Sequence, residues 1–524
     1  VTILQTVLWL LAAAIPLALV ARRYDVPYAV TLVLGGILLA FLPFLPEVAI
    51  EPSFVLVFFL PPLLQASAFF MPWRAFRADL GPILLLAVGL VGFTTALVGI
   101  AAHLLVPGLP WAVCFALGAI VSPPDAVAAA SVLEKMRIPR RLVVILEGES
   151  LVNDASGLIL YNFAIAAALT GSFSAPEAAL RFGFVATIGV AAGIGVGLAG
   201  AWAMRRLPET MLVIATSFLA AYASYLIPDR LGGSGVLGTV ACGLVLGWRA
   251  PKDLTPQARV AGRAAWDVVV FVLNTVVFLL IGMSLDEVVA RVSGQSLLGM
   301  IAIGLAISLV AVVVRFVWVF PAGVLAPLLR IGNRPSWRTL TVVSWAGMRG
   351  VVSLAAALAI PETLGDGVTP FPGRDLVQVL TFVVILVTLV GQATTLGPLI
   401  RRLGVELPGG ADDPHAATRA RIAAVAVAHL RDRASDPLDG AMAGDLLPEF
   451  EARAAAVSGS GGAAAAAATA RLAIYLETKR AQHHALIRLH REGHIGDETL
   501  HHLQDELDLD ELRMRRALGQ AGPG

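Results

Sequence analysis

The chain has 524 residues, 57% of them hydrophobic and only 14% charged, with a net charge of +1. A soluble protein of this size has no use for so much apolar surface, so the composition argues against one and leaves a polytopic membrane protein as the default class. A net charge so close to zero gives no reason to expect a nucleic-acid partner, and the two cysteines, Cys114 and Cys242, lie in apolar runs without metal or redox spacing.

Thirteen apolar segments follow one another at about 2–20, 29–43, 53–69, 80–105, 111–133, 141–170, 179–204, 208–227, 232–248, 262–284, 296–329, 337–361 and 376–400. They are continuous rather than alternating, which predicts spanning helices and not barrel strands. The second is short and is expected to extend to Tyr28 and Leu45. The first has Arg22 and Arg23 after it and no basic residue before it, the pattern of a retained span rather than a cleaved leader. Loops after the odd-numbered spans collect nineteen Lys and Arg, against Arg181, Arg230, Arg291 and Arg374 on the other side. That asymmetry places the N-terminus outside and the C-terminus in the cytoplasm of a cell-membrane protein.

Charged residues deep in the spans are few: Asp125, Glu147, Glu149, Asp154, Arg315 and Arg349, with Asp267 nearer an end. Each costs at least ~2.5–3.5 kcal/mol at the centre of a bilayer and therefore needs a reason. The fifth span contains Ser122-Pro123-Pro124-Asp125. Two consecutive prolines remove two backbone donors and forbid a regular helix, and the freed carbonyls can face a cation. In the sixth span, Ser150 lies one turn under Asp154 and Glu149 under Asn153, with Glu147 about 10 Å below Asp154. The twelfth span sets Gly347 and Gly350 around Arg349. Counted at about 1.5 Å per residue from the nearest loop charge, Asp125, Asp154, Arg315 and Arg349 lie about 14–22 Å deep, close to the middle of the membrane. Spans 5 and 12 hold the same place in halves 1–6 and 8–13, as an inverted repeat demands.

Buried charges must nearly neutralise one another. Glu149 is therefore expected to pair with Arg315, or with Arg349, which leaves Asp154 free to exchange its partner. A carboxylate out of water holds a small cation or a proton, not both, and that competition is all that an antiporter needs. His103 is the only histidine before the tail, so pH dependence of the core must come from carboxylates. Three other classes compete. An intramembrane hydrolase needs paired acids with a substrate gate, or Ser with His, and no histidine reaches the interior. A channel needs a continuous lined pore. A proton-coupled solute symporter uses the same carboxylates and is the serious rival.

From about Gly404 the character changes, and the remainder carries eight of the nine histidines. Two helical stretches, about 414–433 and 470–518, are expected on either side of low-complexity Ala454–Ala468, the second with Asp497 as its cap and Leu500, Leu503 and Leu507 as an apolar stripe. His483, His484, His490, His494, His501 and His502 read as a solvated face, with pH sensing or metal binding as the alternative. The tail reads as a packing or dimer-supporting appendage, or a regulatory one.

Ser122-Pro-Pro-Asp125-Ala-Val-Ala, Glu147-Gly-Glu-Ser-Leu-Val-Asn-Asp154 and Gly347-Met-Arg-Gly-Val-Val-Ser-Leu354 resemble three signature segments of the monovalent cation:proton antiporter family, the sodium/proton exchangers. Trp266-Asp through Leu273-Asn-Thr and Phe278-Leu-Leu-Ile-Gly282 resemble its tenth-span segment, and the tail from Glu492 to Leu512 is similar to bacterial members. The resemblance implies an all-α fold of about 13 transmembrane helices with inverted repeats and two broken helices crossing near the midplane. Residues 1–405 are then the exchange domain and 406–524 a helical cytoplasmic tail. It further implies a core domain moving against a dimerisation domain, a homodimer in lipid, and no cofactor beyond the transported Na+ and H+. Asp154 would bind ion and proton with Asp125, Ser150 and the backbone at Pro124, Arg315 would hold Glu149 and Asn153, and Glu147 and Asp267 would line the cytoplasmic access. Asn153 before Asp154 is similar to the electroneutral branch. Pro124-Asp125-Ala126 departs from the family's frequent Thr-Asp-Pro, losing a hydroxyl that bears on the choice between sodium and potassium.

Overall fold

The computed structural model describes residues 2–41, 52–133, 136, 138–290, 297–325, 335–364, 368–406, 416–435, 440–458 and 462–492, with short pieces as far as 511. They fall into two units, Val1–Leu407 and Pro408–Gly524. Among the described residues no strand forms; Thr363 and Pro370 make one isolated bridge. A backbone in lipid has no water to bond to, so each apolar run closes its hydrogen bonds within its own turns.

In the first unit the helices are α1 (Thr2–Arg23), α2 (Tyr28–Ala40), α3 (Pro52–Phe70), α4 (Trp73–Ala78), α5 (Leu80–Leu105), α6 (Trp111–Val121), α7 (Ala126–Leu133) and α8 (Arg140–Thr170). They continue as α9 (Ala175–Arg206), α10 (Thr210–Arg230), α11 (Gly235–Asp253), α12 (Pro256–Ala290), α13 (Leu297–Leu325), α14 (Trp337–Trp345), α15 (Val351–Leu358) and α16 (Arg374–Leu403). Seven of the described helices, α5, α8, α9, α10, α12, α13 and α16, are long and apolar enough to cross a membrane by length and composition. The outer ends of the second and eleventh runs, including Leu45, Arg330 and Arg334, lie outside the described residues, as do Lys135, Arg137 and Arg291.

Local signals set the boundaries. The hydroxyls of Ser234 and Ser336 accept from Leu237 N and Thr339 N at 3.2 Å each, capping α11 and α14. Two π turns, at Leu85–Leu90 and Val387–Gln392, were not legible in the sequence. Such a turn disturbs the regular hydrogen-bond ladder, and at the first of them the Trp318 indole donates to Leu85 O at 3.2 Å.

Three seams position the site. α6 lies between α5 and α8, α2 runs along α12, and α11 runs along both α3 and α9. The α2–α12 seam is pinned by the hydroxyls of Tyr28 and Thr275, 2.8 Å apart, and by the Tyr28 ring stacked 5.6 Å from that of Phe271. The apolar interior comprises a large cluster about α2, α12 and α16, and a second that joins α6, α8, α13 and α16 through Leu117, Ile120, Ile165, Ile307 and Val384.

The second unit contains α17 (Ala416–Ala434), α18 (Gly440–Ser458) and α19 (Gly462–Arg491). The alanine-rich stretch expected to separate two helices is itself mostly helical, since alanine has the highest helix propensity of any residue. α19 also stops well short of 518, and the chain folds back so that Lys479 and His483 face Asp510 and Asp508 at 2.7 and 3.9 Å. The capping Asp497 and the pair His501 and His502 lie outside the described residues. Among the described residues, no group of three or more His, Cys, Asp or Glu is placed to hold a metal.

Candidate functional site

α6 ends at Val121 and α7 begins at Ala126; α14 ends at Trp345 and α15 begins at Val351. Prolines 123 and 124 account for the first gap, because neither has an N–H to donate. The two gaps are bonded to each other. Asp125 N donates to Met348 O at 2.6 Å, and the Arg349 Nε donates to Val121 O at 2.8 Å. Arg349 is only 1% exposed, and its guanidinium also donates to Gly347 O, so main-chain oxygens receive this charge. Its own N–H donates to the Thr388 hydroxyl at 3.2 Å, from within the second π turn. Gly350 is required here: a Cβ would overlap the Asp125 carboxylate.

α8 crosses beside the gaps. Gly157 allows the approach, because a Cβ there would run into the Pro123 ring. Asn153 donates through Nδ2 to Pro124 O at 3.1 Å, so its amide serves the proline gap rather than Arg315. Glu149 and Arg315 form a two-pronged pair at 2.5 and 2.7 Å, with Arg315 Nε donating to Val343 O at 3.0 Å. Both are almost fully enclosed, at 1% and 2% exposure. Of the two arginines open to Glu149 on the sequence, Arg315 is the one that pairs.

Asp154 is different. It is 8% exposed and, among the described residues, accepts no hydrogen bond. It faces a cavity of about 660 Å³ lined also by Pro124, Asp125, Glu147, Ser150 and Asp267. The cavity therefore brings together every residue that the sequence assigned to ion binding or access. It leaves out Glu149, Asn153, Arg315 and Arg349, which brace its walls from behind. Asp125 keeps one carboxylate oxygen, Oδ1, on Val127 N at 2.9 Å.

Chemically, the carboxylates of Asp125, Glu147, Asp154 and Asp267 and the Ser150 hydroxyl give this cavity oxygen groups suited to holding a cation or a proton. A family model described as "Sodium/hydrogen exchanger, transmembrane" matches residues 9–402. The chain belongs to the sodium/hydrogen exchanger family. It is an ion antiporter and not an enzyme.

The exchanger is 32% identical to an uncharacterised Na(+)/H(+) exchanger of Mycobacterium tuberculosis, across 98% of this chain and 96% of that one. It is 32% identical to the Na(+)/H(+) antiporter ApNhaP of Aphanothece halophytica over 73% and 70% of the two chains. It is 33% identical to the sodium, potassium, lithium and rubidium/H(+) antiporter of Bacillus subtilis over 72% and 58%. The solved sodium proton antiporter MjNhaP1 of Methanocaldococcus jannaschii superposes with a TM-score of 0.59 at 20% identity, covering 77% of this chain and 99% of that one, a likeness of fold. No relative described here is named as a symporter, the rival reading of the sequence.

Sequence reasoning missed several participants. Tyr28, Thr388 and the carbonyls of Val121 and Gly347 carry no signal, because their roles depend on contacts between distant helices. Asn274 sat in a recognised segment without a role, although an amide in a run as apolar as Val268–Ile281 was signal enough.

Proposed function

We propose that the exchanger trades one monovalent cation, Na+ first, for one H+ at Asp154, serving pH and sodium homeostasis at the cell membrane. The observation that carries this reading is the contrast within α8: Glu149 is consumed by Arg315, while Asp154 faces the cavity and accepts no hydrogen bond among the described residues. Asp125, Ser150 and the carbonyl of Pro124 complete the oxygen set. Glu147 and Asp267 attract cations on the cytoplasmic approach. Glu149 with Arg315, and Asn153 with Arg349, keep the walls and the two gaps in register.

A cation at Asp154 and a proton at Asp154 exclude each other, so each trip across the membrane carries one or the other with the same charge. This supports electroneutral exchange. The organisation that goes with it is thirteen spans in inverted repeats, N-terminus outside, with two broken helices crossing near the midplane. Residues 1–405 form the exchange domain and 406–524 the cytoplasmic tail, in a homodimer whose core moves against its dimerisation domain. The bonds between the Ser122–Asp125 and Ala346–Gly350 gaps support the crossing. The relatives' names support Na+, with Li+ and K+ as further cargo.

The test is exchange by the purified protein in liposomes. Adding Na+ collapses an imposed pH gradient without a membrane potential, and Asp154→Asn abolishes that response, by at least about 100-fold. Undiminished exchange by Asp154→Asn would remove the reading.

A further inference from the structure

α12 lines the cavity as well as α8. Along α12 the residues that line it are Arg263, Asp267, Val270, Phe271, Asn274 and Phe278, one face of a helix. Along α8 they include Glu147, Ser150 and Asp154. Both faces deepen in chain direction. Asp267 is exposed and Asn274 is 8% exposed; Glu147 is partly exposed and Asp154 is 8% exposed. The polar positions are spaced alike, seven residues on each helix, or about 10 Å. By exposure, Asp267 and Glu147 form an outer rung of the lining, and Asn274 and Asp154 an inner one.

Asn274 is a costly residue to place there unless its oxygen has a use. Buried side-chain amides are nearly always bonded, yet Asn274 Oδ1 has no hydrogen-bond partner among the described residues. Its surroundings are held firmly. Thr275 is tied to Tyr28 at 2.8 Å, and the Trp266 indole donates to the Ser217 hydroxyl at 3.0 Å. The helix cannot readily turn to find that oxygen a partner. An amide oxygen is a hard donor, of the kind that replaces part of the water shell of a small cation.

We propose that Asn274 presents its Oδ1 to the monovalent cation on the inner rung, in the cavity it shares with Asp154, and that it sets the preference among Na+, Li+ and K+. This rests on the exchange site being at Asp154. An amide oxygen lining the same cavity as the carboxylate fixes the width available to the partly dehydrated ion. A carboxylate alone binds cations of different radius with little distinction.

The test measures exchange by the full chain in liposomes with Na+, Li+ and K+ over a range of concentrations, for the unaltered protein, Asn274→Leu and Asn274→Asp. Asn274→Leu keeps the size and removes the oxygen. The expected result is an apparent KM for Na+ raised about tenfold, the loss of about one ligand contact. The ratio of Na+ to K+ affinity should change at least about threefold, with a smaller fall in the saturating rate. Asn274→Asp retains an oxygen and adds a charge, so it lowers the KM below the original value and shifts the cation ratio. A purely structural amide would lower the amount of folded protein and the saturating rate, leaving KM and the cation ratio alone. That outcome overturns the proposal, as does a KM unchanged in Asn274→Leu. If Asn274→Leu does not fold, Asn274→Asp decides: a KM and cation ratio equal to those of the unaltered protein reject it. Asp154→Asn in parallel separates the two readings, since undiminished exchange there removes the site itself, whereas loss of exchange there with an indifferent Asn274 removes this inference alone.

Discussion

Two carboxylates five residues apart on α8 have opposite fates. Glu149 is locked to Arg315 through two short bonds and sealed from solvent. Asp154 lines a cavity and, among the described residues, accepts no hydrogen bond. Five residues turn a helix through about 140°, so the two side chains address different neighbours from the same rigid rod. The difference teaches a division of labour. A transport site needs an acid whose partner can leave, and such an acid survives in an apolar interior only if the charges beside it are already compensated. Glu149 and Arg315 compensate each other, so neither makes a claim on Asp154.

The strongest way to break the comparison is to remove the compensation. Arg315→Ala takes from buried Glu149 the guanidinium that bonds both of its carboxylate oxygens. Losing one partner of a buried pair costs about 3–5 kcal/mol, mostly from the charge left behind. The expected outcome is a large drop in the thermal midpoint of the detergent-purified protein and little folded material. Asp154→Asn, by contrast, leaves that midpoint near its original value, since no hydrogen bond is lost. A stable Arg315→Ala protein would show that the pair does not hold the site together.

The next effect sharpens the contrast through pH. Only the ionised form of Asp154 binds a cation, so the proton is a competitor. As pH falls through the range in which Asp154 takes up its proton, the ionised fraction drops and the apparent KM for Na+ rises, by up to about tenfold per pH unit. On the alkaline side KM becomes constant. The saturating rate at high Na+ is restored, as competition requires. Exchange rates measured across neutral to alkaline pH at several Na+ concentrations check this, and a KM independent of pH contradicts it.

Much of this division was legible in residues. The depth ruler grouped Asp125, Asp154, Arg315 and Arg349 without any structure, because helix rise is constant and loop charges mark the membrane edges. The Pro123-Pro124 pair marked a gap because proline's missing donor is a local property. What could not be read was which partner each charge would find. Arg315 and Arg349 were both open to Glu149, and only the tertiary placement of α13, from which Arg315 reaches α8, decides for Arg315. Arg349 took the main-chain oxygens of Val121 and Gly347, which no composition signals. Asn153 went to the Pro124 carbonyl for the same reason. In the tail, the reading of Ala454–Ala468 as a separator weighted its low complexity above alanine's helix propensity, and propensity won.

The smallest effect comes from a second carboxylate–arginine pair, with its arginine on the same helix. At the start of α8, Arg141 donates through Nε and Nη2 to one oxygen of Asp79, at 2.9 and 2.7 Å. The contacts match those of Glu149 and Arg315 in kind, but the Arg141 side chain is 46% exposed. Water already compensates this guanidinium, and pairs with one exposed partner contribute about 0–1 kcal/mol. Asp79→Asn is therefore expected to shift the thermal midpoint slightly and to leave the Na+ dependence of exchange intact, even though its partner Arg141 sits on the helix that carries Asp154. If Asp79→Asn proved as damaging as Arg315→Ala, burial would not be what separates the pairs, and the protection of Asp154 by compensated neighbours would lose its physical basis.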